Sequence, residues 1–132
     1  MDIFVYLGIF LLVDFLLLGY ILFRNSKKKF RRADLDFFAL QWGKIRAQSD
    51  AKHALLDADK LLNVVLSKKG FGGGVGDQLQ KAGKLFTNVD DVWTAHKLRN
   101  RIAHELNMQL SLADRDRTLR IFEKALKDLR AL

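Results

Sequence analysis

Residues 3–23 read IFVYLGIFLLVDFLLLGYILF, 21 residues with a single charge, Asp14. Wound as a helix at ~1.5 Å per residue, the run spans a bilayer hydrocarbon core of ~30 Å. A cleaved signal peptide would carry a basic N-terminal region, a shorter apolar run and a small-residue cleavage site. Here the flank is Met1-Asp2, the run is long, and Arg24-Asn25-Ser26-Lys27-Lys28-Lys29 follows it. The stretch therefore predicts an uncleaved, single-pass transmembrane anchor over residues 1–24. An ionised carboxylate near the middle of such a span costs about 2.5–3.5 kcal/mol. Asp14 is accordingly expected to be protonated, or paired across a helix–helix contact that Gly8 or Gly19 would allow to be close.

Working outward, residues 24–32 hold six Lys or Arg and no acid. They leave 17 basic and 13 acidic residues after Arg32, so half of the chain's net charge of +8 lies beside the apolar run. Basic flanks stay on the cytoplasmic side, which predicts an N-terminus outside and the remainder of the chain in the cytoplasm, at the cell membrane. Residues 25–33 then form a basic juxtamembrane segment, in which Lys27, Lys28, Lys29, Arg31 and Arg32 lie against anionic lipid head groups. The remaining +4 permits a polyanionic partner without requiring one.

Residues 34–132 are long enough for one small hydrophobic core. The chain contains no Pro and no Cys. The first suits uninterrupted helices, and the second excludes disulfides, cysteine-ligated zinc and a thiol nucleophile. Four apolar stripes step by three and four residues, as one face of a helix does: Leu35, Phe38, Trp42, Ile45; Leu55, Ala58, Leu62, Val65; Val92, Ala95, Leu98, Ile102; and Leu119, Phe122, Leu126, Leu129. Ser49 or Asp50 is placed to cap the second of these helices and Asn88 the third. Ser111 and Asp114 resemble a capping box before the last, which spans Leu112 to Leu129. The segment Gly70-Phe71-Gly72-Gly73-Gly74-Val75-Gly76 predicts a flexible turn, and Asp77 to Phe86 a shorter helix weakened by Gly83. The expectation is an all-α chain: a transmembrane helix, then a bundle of four to five helices whose first member follows the anchor with little break. The glycine segment is no phosphate loop, because no Gly-Lys-Ser/Thr follows it and no strand precedes it.

The stretch richest in chemistry is Trp93-Thr-Ala-His-Lys-Leu-Arg-Asn-Arg-Ile-Ala-His-Glu105. On a helix turning about 100° per residue, Val92, Ala95, Leu98 and Ile102 face the core. His96, Asn100 and His104 recur along one flank, with Arg99 between that flank and the core face. A zinc-protease helix is excluded because Met108 stands where the second His would be. His96 and His104 lie two turns apart without a clear third ligand, so no metal is expected.

Arg99-Asn100-Arg101-Ile102-Ala103-His104 resembles the signature of the HEPN superfamily (higher eukaryotes and prokaryotes nucleotide-binding domains): an Arg, a polar residue such as Asn, and a His several residues on. The motif's position late in the chain, before a final amphipathic helix, fits as well. So does the earlier helix around Ala58-Asp59-Lys60-Leu61-Leu62 with its glycine-bearing turn. The resemblance covers roughly residues 50–132, and the membrane anchor is no general feature of that family. It implies a HEPN-like helical bundle and a metal-independent endoribonuclease acting on single-stranded RNA, with the substrate's 2′-hydroxyl as nucleophile, no cofactor, and a homodimer that brings two Arg/His motifs to one cleft. His104 would then be the general acid/base. Arg99 would grip the scissile phosphate. Asn100 would orient His104 or the phosphate. His96 and Arg101 are further candidate RNA contacts that the family pattern does not itself supply. A non-catalytic RNA-binding or protein-interaction module tethered to the membrane is the alternative, with a protein partner or antitoxin open in either case. On that alternative Arg99 simply pairs with an acid on a neighbouring helix, and His104 sits at a helix end where its charged form complements the dipole.

Overall fold

The computed structural model describes residues 2–26 and 29–132. Lys27 and Lys28, expected at the head groups, lie outside the described residues. The described chain is all-α: α1 (Ile3–Ser26), α2 (Arg32–Ala47), α3 (Ala51–Lys68), α4 (Val75–Ala82), a 3₁₀ turn (Gly83–Leu85), α5 (Val89–His104) and α6 (Leu112–Asp128).

The apolar run forms α1, and residues 3–24 are long and apolar enough to cross a membrane. Every large apolar side chain from Ile3 to Ile21 is 41–80% exposed. Removing such a side chain from water is worth roughly 1.5–3 kcal/mol, so a helix this exposed gains by leaving water. Leu22 departs from the pattern: it is half-buried against the core of the bundle. α1 and α2 are separate helices, a clearer break than the sequence suggested. Phe30 accounts for it. Its ring packs edge-on against Phe38 with centroids 5.1 Å apart, and the Lys69 ammonium sits 5.3 Å above it. Pulling Phe30 inward leaves Arg31 extended, with φ −71° and ψ 157°, as the residue before α2.

The stripes read from the sequence build the core. Phe38, Leu55, Ala58, Leu62, Val65, Phe122, Leu126 and Leu129 have no exposed surface, while Leu35 and Leu98 are half-buried. α3 is apolar over most of its circumference and occupies the middle of the bundle, touching α2, α4, α5 and α6. The expected caps form, with one difference. Asp50 accepts from the His53 amide at 3.0 Å, Asn88 from the Asp91 amide at 3.2 Å, and Ser111 from the Asp114 amide at 3.0 Å. The reciprocal half of the Ser111 box is absent because Asp114 instead takes the Arg117 guanidinium one turn on. The Asp50 bond to the His53 amide also holds its carboxyl below the ordinary carboxylate range.

The glycine segment is a tied turn. Gly70 adopts φ +99°, its amide bonds Ser67 O at 3.0 Å and the Phe71 amide bonds Leu66 O at 3.0 Å. This is the paired closure that ends a helix with glycine in the left-handed region and buries the next apolar residue, here Phe71. Gln78, fully buried, fastens the far side: its amide group donates to Phe71 O at 2.8 Å and to Ser67 Oγ at 3.0 Å. α4 starts at Val75, two residues earlier than expected, because Val75 is drawn into the core. It ends at Ala82, short of the expected Phe86, and the backbone tightens to a 3₁₀ turn over Gly83–Leu85.

Candidate functional site

Asp59 lies four residues after Leu55 and three before Leu62, both fully buried. Its place in that stripe carries its carboxylate into the bundle, where the residue is 4% exposed. A buried carboxylate needs partners, since an unpaired charge in the interior is strongly disfavoured. α5 provides them. His96 Nδ1 lies 2.9 Å from Asp59 Oδ1, and Arg99 Nε lies 3.3 Å from Asp59 Oδ2. The latter is an ion pair without hydrogen-bond alignment, so Arg99 Nε–H has no acceptor.

Asn100 closes the group into a ring. Its Oδ1 accepts from Arg99 Nη1 at 3.2 Å, and its amide nitrogen lies 3.4 Å from His96 Nε2. A carboxylate only accepts, so the neutral imidazole carries its proton on Nδ1 and offers Nε2 to the Asn100 amide. The Trp93 ring stands edge-on beside His96, 6.2 Å between centroids.

The ring borders a cleft of about 600 Å³ whose walls are Asp59, Lys60 and Asn63 of α3, Gly74 to Gly76 at the start of α4, and His96 with Arg99 of α5. That volume lies in the range of ordinary ligand clefts. The α4 wall is held in place: Asn63 donates to Gly73 O at 3.3 Å and to Gln78 Oε1 at 3.0 Å.

The structure thus brings together His96, Arg99 and Asn100, and adds Asp59, which the motif reading had not assigned. It leaves the other candidates apart. His104 is the last residue of α5, exposed and outside the cleft. Helix geometry sets it about 7.5 Å along and 140° around the axis from Arg99. Asn100 bonds His96, not His104, one turn on. Arg101 is exposed and holds Glu105 through bonds of 3.0 and 3.4 Å. That contact keeps its guanidinium more firmly protonated than usual. Lys97 is exposed on the outer face.

Among the described residues no three His, Asp or Glu side chains converge as the ligands of one metal ion. No protein-family model, characterised protein or solved structure matches this chain.

Proposed function

We propose that this chain is a membrane-anchored HEPN-like endoribonuclease that cuts single-stranded RNA without metal. One observation carries the reading. Arg99, the first residue of the Arg/His motif, stands at the wall of a cleft with its guanidinium paired with a buried carboxylate and donating from Nη1 to Asn100. Such a group binds a phosphodiester in a fixed direction rather than as a loose surface charge. His104, exposed one and a half turns further along the same helix, is free to enter a cleft formed with a second copy of the chain. A two-fold dimer through α5 would place each motif opposite its copy, and tethering by α1 would raise the effective concentration for that encounter.

The expected reaction starts with attack of the 2′-hydroxyl on the adjacent phosphorus. His104 takes the 2′-hydroxyl proton and Arg99 stabilises charge on the phosphoryl oxygens; the bond from phosphorus to the 5′-oxygen breaks, His104 returns a proton to that oxygen, and a 2′,3′-cyclic phosphate and a 5′-hydroxyl end are left. Single strands are preferred because a duplex resists bringing the 2′-oxygen into line with the leaving oxygen. The test is end-labelled single-stranded RNA incubated with the full chain in detergent, with and without EDTA. Cleavage to cyclic-phosphate ends, indifferent to the chelator, is expected; cleavage abolished by EDTA overturns the metal-independent mechanism.

The ring around Asp59 favours a second reading: a non-catalytic RNA-binding or interaction module, in which Arg99 serves the fold and only the cleft serves a ligand. RNA bound by the full chain but never cut would select it.

The basic segment after α1 orients the chain in the membrane, N-terminus outside and bundle in the cytoplasm. Protease added to spheroplasts should leave the bundle intact and digest it only after lysis. Digestion from the outer face reverses the topology.

A further inference from the structure

α1 touches the bundle at α4. From residue 3 to residue 24, every residue is exposed except Leu22, which is half-buried and packs on the core. Leu22 lies in the final turn of the apolar span, two residues before Arg24. If α1 crosses a bilayer to Arg24, whatever contacts its last apolar turn sits at the level of the lipid head groups. α4 is therefore held at the membrane surface by the anchor itself.

The outward face of α4 suits that position. Val75, Gln78, Leu79 and Ala82 are buried, whereas Asp77, Gln80, Lys81 and Lys84 are exposed. The exposed positions fall three and four residues apart, so they form one polar edge running from α4 into the 3₁₀ turn. That edge carries two ammonium groups near its C-terminal end and one carboxylate at its N-terminal end. The chain that leads out of α1 adds exposed Arg31 and Arg32, whose acidic neighbours Asp34 and Asp36 are already paired with them at 3.9 and 3.3 Å. Each Lys or Arg near an anionic bilayer surface is worth about 1 kcal/mol.

We propose that α4 is an interfacial helix: its edge of Gln80, Lys81 and Lys84 lies on the anionic phospholipid head groups of the leaflet from which α1 emerges. The same helix provides Gly74 to Gly76 of the cleft wall, so this contact fixes the cleft beside the membrane. A ligand then reaches it along the bilayer surface, and lipid composition regulates access. The inference depends on α1 spanning the bilayer and is independent of whether the cleft cuts RNA.

The test is hydrogen–deuterium exchange of the full chain in phosphatidylcholine vesicles and in vesicles of phosphatidylcholine with phosphatidylglycerol. Amides of residues 75–86 should exchange about tenfold more slowly in the anionic vesicles, a conservative share of what two near-surface lysines provide. High salt should reverse this protection because the contacts are screened. The double variant Lys81→Gln, Lys84→Gln should lose it. Unchanged exchange in α5 and α6 will show that the variant remains folded, since both replaced side chains are exposed. Equal exchange of residues 75–86 in the two vesicles overturns the proposal, as does a double variant protected like the parent. A chain that fails to insert into either vesicle removes the premise and overturns it as well.

Discussion

On the proposed reading, His104→Ala lowers RNA cleavage by about 10²–10⁴, the usual worth of a positioned general acid/base. The substitution is clean because His104 is the exposed last residue of α5 and Ala suits a helix well. Arg99→Lys should be comparably severe for a different reason. Lys retains the positive charge and reaches Asp59, but loses the planar fork that presents two N–H groups to a phosphate. Lys97→Ala, on the outer face of the same helix, should cleave like the parent. A composite cleft adds a sharper expectation: co-reconstituting the Arg99→Lys and His104→Ala chains should recover part of the activity that each lacks alone, through mixed dimers. The measurement is single-turnover cleavage of a labelled strand by each full-length variant, with circular dichroism confirming helicity. His104→Ala cutting as fast as the parent would sink the assignment of the base. No recovery on mixing would place Arg99 and His104 in the same half of the cleft.

The reach of the sequence follows from the range over which each signal acts. The four stripes were legible because helical periodicity repeats every turn, and fourteen of their sixteen residues are buried. The caps were legible because Asp50, Asn88 and Ser111 act on amides three residues away. Leu22 was hidden because it looks like any other residue of the apolar run until a bundle is set against it. Gln78 was hidden too: a polar residue in a short helix ordinarily faces water, and only the returning glycine turn gives it buried partners.

For the candidate site the same limit divides Arg99 from Asp59. Arg99, Asn100 and His96 share an edge of one helix, so their proximity could be read from spacing. Asp59 lies 37 residues before His96, and their contact exists only because α3 crosses α5. A signal was present: unlike Asp57, Asp59 falls at stripe spacing, four residues after Leu55 and three before Leu62, and a carboxylate on that face needs a partner. The sequence offered several basic helices and no means of choosing among them. The alternative in which Arg99 pairs with an acid on a neighbouring helix was therefore an apt reading of the fold, and it is compatible with a catalytic Arg99 because an oriented guanidinium still presents outward N–H groups.

Asp59→Ala should destabilise the bundle by about 3 kcal/mol, the lower end of what removing one partner of a buried ion pair costs. The lower end applies because Arg99 keeps 26% of its side chain exposed and recovers part of its hydration, whereas the His96 side chain keeps only 12%. Asp59→Asn should cost less: it preserves the volume and one acceptor for His96 Nδ1–H, and gives up mainly the charge facing Arg99. The order parent, Asn, Ala is the diagnostic, because a merely space-filling role would make Asn nearly neutral. Chemical unfolding of the full chain in detergent micelles, followed by the near-ultraviolet circular dichroism of Trp42 in the core and Trp93 beside His96, reads the loss of packing. An Ala variant within about 1 kcal/mol of the parent, the worth of an exposed pair, would mean that Asp59 does not anchor Arg99. The same two variants then connect stability to the site. Asp59→Asn should leave a folded chain whose Arg99 is no longer held from one side, so RNA should bind but with weaker discrimination between single-stranded and duplex forms. That result would show the buried carboxylate acting on the ligand through the arginine it orients.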